Sequence, residues 1–515
     1  MNNNDIVKKL WNLCDILRDD GINYSDYVTE LVLLLFIKIT NETTSSGTLK
    51  EHPLPEGCRW SDLNSKKGLK LLTSYNEILR TLSTGKQLEP NTSKEIQLHD
   101  DPILKSIFLD AHTKIREPRH LEIMIKRLDE IEDWFSHNKD GLGDLYEGLL
   151  DKNANETKSG AGQYFTPRPL INSIVRCTKP QPGEIIQDPA TGTAGFLISA
   201  HEYIKFNTND LKSLNLKEQK FQKNNAYIGV ELVPNTRRLA LMNCLLHGIG
   251  SEKDGAVLQG NALGAVGKEL PPSDLILANP PFGVGKGGEA SLTRDDLSFN
   301  KTNKQLAFLQ HIYLNLKPGG RAAVVVPDNV LFESGKGSEV RAELMNTCNV
   351  HTILRLPKGI FYAHGVQTNV IFFNKGSYTN KRQNINCTAK VWVYDLRTNM
   401  PNFGKRTPFT EEYLKPFENV FGDKSDGSAS RAEGDWSFLS SATNKHPEQS
   451  RWRSFSRQWI ADNNNSLDIS WMHDVNNENK MDAPVLLLNE AKLELTTALE
   501  LLDTLLISLG KLNDE

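Results

Sequence analysis

A short apolar run that ends at two prolines limits the possible folds more than any other feature of this sequence. Leu275 to Ala278 suits a buried parallel strand, and Asn279-Pro280-Pro281-Phe282 follows it directly. Because proline has no backbone N–H to donate to a sheet, the chain has to leave the sheet here. Asn279 and Phe282 are therefore expected at the carboxyl end of a strand, where open α/β sheets hold their ligands.

The chemistry of these four residues suits a planar base that carries an amino group. The Asn279 side-chain oxygen and the Pro280 carbonyl oxygen are hydrogen-bond acceptors, and the Phe282 ring can stack on a flat heterocycle. The structural alternative is a strand-terminating Pro-Pro turn with a packed phenylalanine, and the tetrapeptide alone favours neither. The residues at the ends of the other strands are needed to distinguish a base-binding site from a structural turn.

Strands and helices alternate on both sides of this motif. The predicted parallel strands are 184–187, 226–230, 256–260, 275–278 and 322–327. Residues 350–356 and 368–373 are joined by too few residues for a crossover helix, so these two strands are expected to pair antiparallel. The pattern predicts an α/β fold, with a doubly wound, mostly parallel sheet and an antiparallel hairpin at one edge.

Three other strand ends carry residues that suit a nucleotide-like cofactor. Gly192 and Gly195 permit a tight turn before a helix N-terminus, and Glu231 at the next strand tip can accept hydrogen bonds from ribose hydroxyls. Asn261 ends the third strand and could contact a cofactor adenine. A solvated acid or amide is the alternative for each residue, but their placement at successive strand ends favours one shared site.

A second glycine-rich turn, at 160–162, precedes a predicted helix start. Thr166 is the predicted N-cap and Pro167 the first helical residue. The free N–H groups of such a helix start suit a carboxylate or another anion. An ordinary capped helix is the alternative, and the local sequence favours that alternative.

Length and composition are those of a multidomain globular protein. A chain of 515 residues is too long for one compact core, so about two to four units are expected. The six cysteines are scattered with no Cys-x-x-Cys pair, which indicates reduced thiols without a zinc site or disulfide framework. Residues 1–5 lack a signal-peptide pattern, and the longest apolar run, 31–37, is too short for a bilayer. We therefore expect a cytoplasmic protein with no membrane partner.

Four regions are predicted along the chain. Residues 1–151 form a helical N-terminal domain, because apolar residues recur there at helical spacing. Residues 152–420 form the sheet domain, and residues 421–483, partly rich in serine, glycine and charge, form an irregular segment. Residues 484–515 form a helix with leucines at heptad spacing, which suits a partner helix. Docking of that helix on the chain's own surface is equally favoured.

Taken together, the motifs resemble those of amino-group DNA methyltransferases, and specifically the modification (M) subunit of type I restriction–modification enzymes, in their type IA group. The residues that carry the resemblance are Gly162-Gln-Tyr-Phe-Thr-Pro-Arg168, Gln187-Asp-Pro-Ala-Thr-Gly-Thr-Ala-Gly-Phe196, Glu231-Leu-Val-Pro234, Asn279-Pro-Pro-Phe282 and Val326-Pro-Asp-Asn-Val-Leu-Phe332. The resemblance implies methyl transfer from S-adenosylmethionine to the N6 amino group of adenine in double-stranded DNA. Such an enzyme protects host DNA and acts with a restriction subunit in cleavage.

The resemblance also implies a role for individual residues of this sequence. Those implied to border the methionine end of S-adenosylmethionine are Gln163, Tyr164, Phe165, Thr166, Pro167, Arg168, Thr193, Ala194 and Gly195, with Asp188 supporting the turn. Glu231 is implied to hold the ribose and Asn261 the cofactor adenine, although many related methyltransferases carry an acid at the latter position. Asn279, Pro280, Pro281 and Phe282 are implied to form the catalytic site for a flipped adenine, without a metal.

Recognition of a DNA sequence is expected to need a second polypeptide. The net charge is −4, and the chain carries no zinc finger, helix-turn-helix signal or basic region. The resemblance implies a specificity (S) subunit that binds two of these chains, and a restriction (R) subunit that joins the larger complex. The segment from Gly283 to Asn300, with Lys286, Arg294 and nearby Lys301, could close over DNA. A solvated loop is at least as favoured there.

Other functions remain compatible with the same fold. Cytosine-N4 methylation and methylation of a protein glutamine amide use a similar Asn-Pro-Pro-aromatic site, although the glutamine enzymes are normally shorter. A catalytically idle scaffold for a DNA complex is the alternative from another class. The missing Gly-Lys-Ser/Thr loop and the missing His-x-x-x-His pattern argue against ATP hydrolysis and metal-dependent hydrolysis.

Overall fold

The structure is a computed structural model of the whole chain. It describes residues 3–13, 24–47, 49, 51–89, 94–131, 166–250, 255–282, 294–299, 302–361, 367–378, 384–404, 407–431 and 451–472. Gln163, Tyr164, Phe165 and the helix predicted at 484–515 lie outside these residues. Lys286 and Lys301 also lie outside them.

The front of the chain is helical, as predicted. Its helices are α1 (Asn3–Trp11), α2 (Tyr24–Ser45), α3 (Trp60–Asn64), α4 (Gly68–Thr84), α5 (Pro102–Ile107) and α6 (Pro118–Asp129), with a small antiparallel sheet of β1 (Lys86–Leu88) and β2 (Glu95–Gln97). The apolar run 31–37 is buried on every side of α2. Since a helix that is apolar all round needs other elements around it, α2 forms the centre of this helical region.

The remaining elements alternate as the sequence predicts. In the first half they are α7 (Arg168–Thr178), β3 (Ile186–Asp188), α8 (Gly195–Asn207), α9 (Leu216–Asn224), β4 (Tyr227–Glu231), α10 (Pro234–Leu246), β5 (Val257–Gln259), α11 (Ala265–Glu269) and β6 (Ser273–Ala278). In the second half they are α12 (Lys304–Asn315), β7 (Leu316–Pro327), α13 (Asp328–Phe332), α14 (Lys336–Thr347), β8 (Cys348–Arg355), β9 (Thr368–Lys375), β10 (Lys390–Asp395), a 3₁₀ turn (Glu411–Tyr413), α15 (Lys415–Phe421), β11 (Trp452–Ser456) and α16 (Arg457–Asp462).

Nine of these strands form one sheet, in the order β11-β10-β8-β9-β7-β6-β3-β4-β5. Strands β5, β4, β3, β6 and β7 run parallel to one another, so the predicted doubly wound, mostly parallel fold is confirmed. The strand β6 lies near the middle of the sheet and is buried on both faces. Leu275 and Leu277 pack in the same core as α7 and α8, and Ile276 and Ala278 pack in the core of α12 and α14.

The antiparallel hairpin is confirmed, but its predicted position at the edge of the sheet is wrong. The strand β9 pairs antiparallel with β8 and is inserted between β8 and β7. The sheet continues beyond β8. The next strand, β10, runs parallel to β8, and β11 pairs antiparallel with β10. The hairpin is interior because the other edge of β8 pairs with β10, the next strand after the hairpin. Local sequence patterns do not show which strands pair.

Part of the predicted irregular segment is regular. Residues 452–456 form β11, which pairs antiparallel with β10 and stacks Trp452 on Trp392 at 5.0 Å between ring centroids. The helix α16 follows it directly. The description of 421–483 as irregular is therefore wrong for residues 451–462, while the division of the chain into four regions remains a prediction.

The helical front region packs against the sheet domain through α10. Arg237 donates to the Ser106 hydroxyl at 2.6 Å, and Arg238 donates to the Leu109 carbonyl oxygen at 2.6 Å. These contacts place the front region beside β4 and β5, at the β5 end of the sheet order. In the described ranges, no helix is long and apolar enough to cross a lipid bilayer.

Candidate functional site

The strand β6 ends at Ala278, and Asn279 is the first residue beyond it. The sequence predicted this placement, because the two prolines cannot extend the ladder. Asn279 therefore lies at the carboxyl end of the sheet, between β3 and β7, the two parallel neighbours of β6. That position is where parallel α/β sheets open a crevice for ligands.

The Asn279 side chain forms a hydrogen bond with a residue far away in the sequence. Its amide nitrogen Nδ2 donates to Thr166 Oγ1 at 2.8 Å. The helix α7 begins at Arg168 with Pro167 as its N-cap, so the predicted N-cap role of Thr166 is wrong. The structure brings together one residue predicted to bind cofactor and one predicted to be catalytic.

Phe282 contacts a second aromatic ring, that of Phe361, which no sequence motif indicates. The Phe282 side chain is 9% exposed, and its ring meets Phe361 edge to face at 5.9 Å between centroids. Pro280 is buried and Pro281 is exposed. Phe361 follows β8, and only its position after a strand end could have indicated a site residue. Phe282 and Phe361 thus form an aromatic pair at the edge of the sheet where Asn279 lies.

The turn after β3 has the tight geometry that its glycines predict. Gly192 has a φ of 56°, and Ala194 also adopts the left-handed region, with a φ of 69°. A Cβ on Gly195 would lie 3.0 Å from both the Arg168 guanidinium and the Ile171 side chain, so this position has almost no spare room. Asn243 of α10 donates to the Thr193 carbonyl oxygen at 3.1 Å and holds the turn from behind. No sequence motif indicates Asn243, which lies inside the helix α10.

Two carboxyl groups face this turn. Asp188 Oδ1 accepts from the Ala190 N–H at 3.0 Å, and the two oxygens of Glu231 accept from the N–H groups of Val233 at 2.8 Å and Gly192 at 3.1 Å. Burial raises the pKa of Asp188 to about 8, against the opposing effect of the Ala190 N–H. Burial also raises the pKa of Glu231, with its backbone hydrogen bonds acting the other way.

The two carboxyl groups, Asp188 and Glu231, suit a cationic nucleotide cofactor. In the described part of the chain, no lysine or arginine forms an ion pair with Asp188 or Glu231, so neither buried carboxyl has a positive partner from the protein. A ligand that carries positive charge would supply one. Each carboxylate oxygen also has a second lone pair, so Glu231 can accept hydroxyl hydrogens in addition to its backbone bonds. S-adenosylmethionine has both the positive charge and the ribose hydroxyls.

Asn261 lies at the end of β5, as predicted, and its side chain stabilises its own turn. Its Oδ1 accepts from the Leu263 N–H at 2.9 Å. The turn is compact, because a Cβ on Gly267 would lie 1.7 Å from the Ala262 carbonyl oxygen. The contact of Asn261 with a cofactor adenine remains a prediction.

Arg294, which lies on the segment expected either to close over DNA or to form a solvated loop, is buried. Its side chain pairs with Asp296 through two nitrogens at 2.5 Å, and donates to the Ala262 carbonyl oxygen at 3.2 Å. It also lies 3.0 Å from His311 Nδ1, and burial lowers the pKa of that histidine to about 3. Arg294 thus ties residues 294–296 to the Asn261 turn.

A further charged cluster lies at the carboxyl end of β7. Asp328 forms a two-pronged ion pair with Arg397, at 2.8 and 2.9 Å, and accepts from Asn369 Nδ2 at 2.8 Å. Burial alone would raise the pKa of Asp328, but its bonds with Arg397 and Asn369 hold it below its usual value. In the described residues, no group of three histidine, cysteine or acidic side chains is arranged to hold a metal ion.

Two family models match the chain. The model described as N-6 DNA Methylase matches residues 137–480, and the model described as HsdM N-terminal domain matches residues 6–114. The first covers more than half of the chain, including every candidate site residue from Gln163 to Phe282.

Curated relatives and solved structures agree with these matches. The chain is 51% identical to the type I restriction enzyme EcoKI methylase subunit of Escherichia coli (strain K12), over 99% of this chain and 96% of that one. It is also 51% identical, with the same coverage, to the type I restriction enzyme StySPI methylase subunit of Salmonella potsdam. The crystal structure of the EcoKI M protein matches with a TM-score of 0.58 and 47% identity, over 98% of this chain and 96% of that chain. A type I methyltransferase subunit from Streptococcus thermophilus shares the fold, with a TM-score of 0.64 at 19% identity, over 92% of this chain and 100% of that chain.

Proposed function

This chain belongs to the methylase subunits of type I restriction enzymes and is an adenine-specific N6 DNA methyltransferase, and on that basis we propose how its residues act. The observation that carries the assignment of the site is the position of Asn279. It lies at the carboxyl end of the central strand β6, and its side chain is hydrogen-bonded to Thr166, two residues before α7. Both groups are therefore held at one edge of the sheet.

The cofactor is S-adenosylmethionine, whose sulfonium supplies an electrophilic methyl group when it is bound. Glu231 holds the ribose, and the turn of Thr193, Ala194 and Gly195 lets the backbone approach the cofactor closely. Asp188 braces that turn through the Ala190 N–H, and its buried carboxyl favours a cationic ligand. Arg168 donates to the Gly195 carbonyl oxygen at 3.4 Å and joins α7 to the turn. Gln163, Tyr164 and Phe165, which lie outside the described residues, are proposed as further cofactor contacts on the resemblance of the sequence alone.

The target adenine is flipped out of the duplex and bound beside Asn279. Adenine N6 is a poor nucleophile, because its lone pair is delocalised into the ring. The Asn279 side-chain oxygen and the Pro280 carbonyl oxygen accept the two N6–H groups and draw the nitrogen towards tetrahedral geometry. Phe282, which Phe361 supports from one edge, stacks on the base. Pro281 keeps the backbone of the motif rigid.

The chain works within a larger assembly. A specificity subunit supplies recognition of the DNA sequence, two copies of this chain bind one specificity subunit, and a restriction subunit joins them for cleavage. The net charge of −4 supports this division, since a chain that binds DNA unaided usually carries a basic excess. The leucine heptads at 484–515 are the proposed contact with a partner helix. A cytoplasmic location, predicted from the sequence, fits this role.

The alternative functions are not favoured. Cytosine-N4 methylation and glutamine methylation could use similar geometry, but the matched family model is described as N-6 DNA Methylase and the relatives are methylase subunits of type I restriction enzymes. An idle scaffold would not need the intact set of Asn279, Phe282, Gly195 and Glu231.

Two variants, studied in the chain co-purified with its specificity subunit, test the assignment. Asn279→Ala is expected to bind S-adenosylmethionine normally and to lose about 100- to 1000-fold or more in methyl transfer, since it removes an acceptor at the reacting amine. Glu231→Ala is expected to lose cofactor binding. Calorimetry gives the affinity, and mass analysis of digested DNA identifies N6-methyladenine. Near-normal methylation by Asn279→Ala would refute the site, and the purified chain alone is expected to methylate poorly.

A further inference from the structure

We propose that Thr166 is a positioning residue for the catalytic amide of Asn279. This inference rests on the proposed catalytic role of Asn279. The sequence placed Thr166 with the cofactor-binding residues, as the cap of a helix. The structure gives its hydroxyl a different partner, because Asn279 Nδ2 donates to Thr166 Oγ1 at 2.8 Å.

The bond holds the Asn279 amide in place. A hydroxyl can accept from an amide nitrogen or donate to an amide oxygen, and in the structure Thr166 is bonded to the nitrogen end. An amide has an acceptor oxygen and a donor nitrogen on the same carbon, and the two ends diverge. With Nδ2 directed at Thr166, Oδ1 is directed away from it. The target amine carries two N–H donors, so it is bound only by an acceptor. A reversed amide would present N–H to N–H and lose that interaction, which makes the orientation of Asn279 a requirement of catalysis.

Thr166 is well placed to fix this orientation because its backbone is rigid. It precedes Pro167, whose ring limits φ to a narrow range and whose φ is −56°. The helix α7 that follows is anchored by Leu170, Ile171 and Ile174, each no more than 3% exposed, in the same core as α8. Threonine is also stiff at χ1, because it is branched at Cβ. A side chain of this kind orients its partner more firmly than a flexible surface residue does.

The hydroxyl also has no capping function in competition with this bond. Pro167 is the N-cap of α7, and its carbonyl oxygen accepts from the N–H groups of Leu170 at 2.9 Å and Ile171 at 3.1 Å. Among the side chains that the structure describes, none caps the start of α7. The Thr166 hydroxyl therefore serves the Asn279 amide, which lies 113 residues later in the chain. Through this bond, the segment before α7 supports the target-base site.

The test uses Thr166→Val, Thr166→Ser and the matched control Ser173→Ala, in the chain co-purified with its specificity subunit. Valine keeps the shape of threonine and removes the hydroxyl, and serine keeps the hydroxyl. Ser173 lies on α7 and is buried, and its hydroxyl has no hydrogen-bond partner among the described residues, so the control removes a hydroxyl from the same helix without breaking a bond. Calorimetry measures S-adenosylmethionine affinity, and single-turnover methylation at saturating cofactor measures the transfer step.

We expect Thr166→Val to lower the single-turnover rate about 10- to 100-fold, which is the cost of a misplaced reacting group, while cofactor affinity changes less than about 2-fold. Thr166→Ser should restore most of the rate, and Ser173→Ala should match the unmodified chain. Reduced affinity with an unchanged rate at saturating cofactor would make Thr166 a cofactor contact and overturn the inference. An unchanged rate and affinity in Thr166→Val would overturn it too, as would a parallel loss in Ser173→Ala.

A further variant separates failure of this inference from failure of the proposed function. If Asn279→Ala is inactive and Thr166→Val is fully active, the catalytic site stands and only the positioning role of Thr166 is refuted. If Asn279→Ala itself methylates DNA at a near-normal rate, the proposed site is wrong and the inference fails with it.

Discussion

Asp188 and Asp328 stand at the carboxyl ends of two strands of the same sheet, and their surroundings differ in kind. Asp188, on the cofactor side, is held by the N–H of a residue two positions later, and burial without a cationic partner raises its pKa to about 8. Asp328, on the target side, pairs with Arg397, 69 residues later. Against the effect of burial, that pair holds the pKa of Asp328 below its usual value.

The same contrast extends to the other strand ends. On the cofactor side, Asn261 and Glu231 also accept from N–H groups two residues ahead, at Leu263 and Val233. On the target side, Asn279 is joined to Thr166 across 113 residues. In the proposed cofactor site, each of these three acceptors thus bonds within its own turn, and neither buried acid has a cationic partner among the described residues. The target site is assembled by side-chain bonds between distant segments, so it depends on the complete fold.

The largest effect should come from breaking the long-range ion pair. Asp328→Ala leaves the buried Arg397 guanidinium without its partner, and we expect a loss of about 3 kcal/mol in the free energy of unfolding. Glu339→Ala, which removes an exposed partner of Lys336, should cost less than about 0.5 kcal/mol. Urea denaturation followed by circular dichroism measures both. Equal losses in the two variants would contradict the importance given to the long-range pair.

The raised pKa of Asp188 should make stability depend on pH in a direction opposite to that of Asp328. The folded pKa of about 8 exceeds the value of about 3.9 expected in the unfolded chain, so the folded state binds the proton more tightly. The contribution of Asp188 to stability is complete below pH 4 and is lost as the pH rises towards 8. For Asp328, whose pKa is lowered, the contribution is present above its unfolded pKa and is lost on acidification.

Asp188→Asn, which keeps the shape and cannot ionise, isolates this dependence. Relative to the variant, the unmodified chain should lose about 1.4 kcal/mol of stability per pH unit between pH 5 and 7. Urea denaturation at several pH values gives the difference in the free energy of unfolding. A difference that stays constant over this range would show that Asp188 is already ionised in the folded chain.

A smaller effect is expected from Glu231→Gln. This variant tests whether the affinity for S-adenosylmethionine depends on the negative charge of Glu231. Glutamine keeps one acceptor oxygen and loses the negative charge, and its new N–H group would oppose the N–H of Gly192 or Val233. The affinity for S-adenosylmethionine should fall about 10- to 100-fold, because hydrogen bonds to a charged acceptor are worth about 1.5–3 kcal/mol. Calorimetry measures the affinity, with Glu339→Gln as an exposed control. Unchanged affinity would remove Glu231 from the cofactor site.

The smallest effect should come from Asn261→Ala, which removes one local bond at the end of β5. The Leu263 N–H loses its acceptor, at a cost of about 1 kcal/mol in the free energy of unfolding. Asn261→Asp should recover most of that stability, because a carboxylate can accept the same bond. If cofactor affinity falls in the alanine variant, Asn261 also contacts the adenine. A loss as large as that of Asp328→Ala would erase the contrast between local and long-range bonds.

Much of the fold could be predicted because its signals are local. The strand β6 was expected at 275–278 and extends from Ser273 to Ala278, and β4 was expected at 226–230 and extends from Tyr227 to Glu231. Proline and glycine fix where such strands and turns end, since they limit the backbone wherever they occur. The antiparallel pairing of β8 with β9 followed in the same way from a connection too short for a crossover helix.

The predictions that failed concern which distant segments meet. The edge position of the hairpin was wrong because β10 and β11 extend the sheet beyond β8. Arg294 was expected on a segment that either closes over DNA or is a solvated loop, yet its side chain is buried against Asp296 and His311. A charged residue in a polar stretch gives no sign of the partner that the fold brings to it.

The sequence by itself determined that Asn279-Pro-Pro-Phe282 follows a buried strand and that Gly192, Glu231 and Asn261 lie near the ends of three other strands. Those placements depend on the backbone conformations that proline and glycine allow and on the short-range periodicity of apolar residues. Both can be recognised from adjacent residues. Only the tertiary structure decided that Thr166 meets Asn279 and that Arg397 meets Asp328. Such contacts depend on strand order and helix packing over the whole sheet, so no single stretch of the chain contains them.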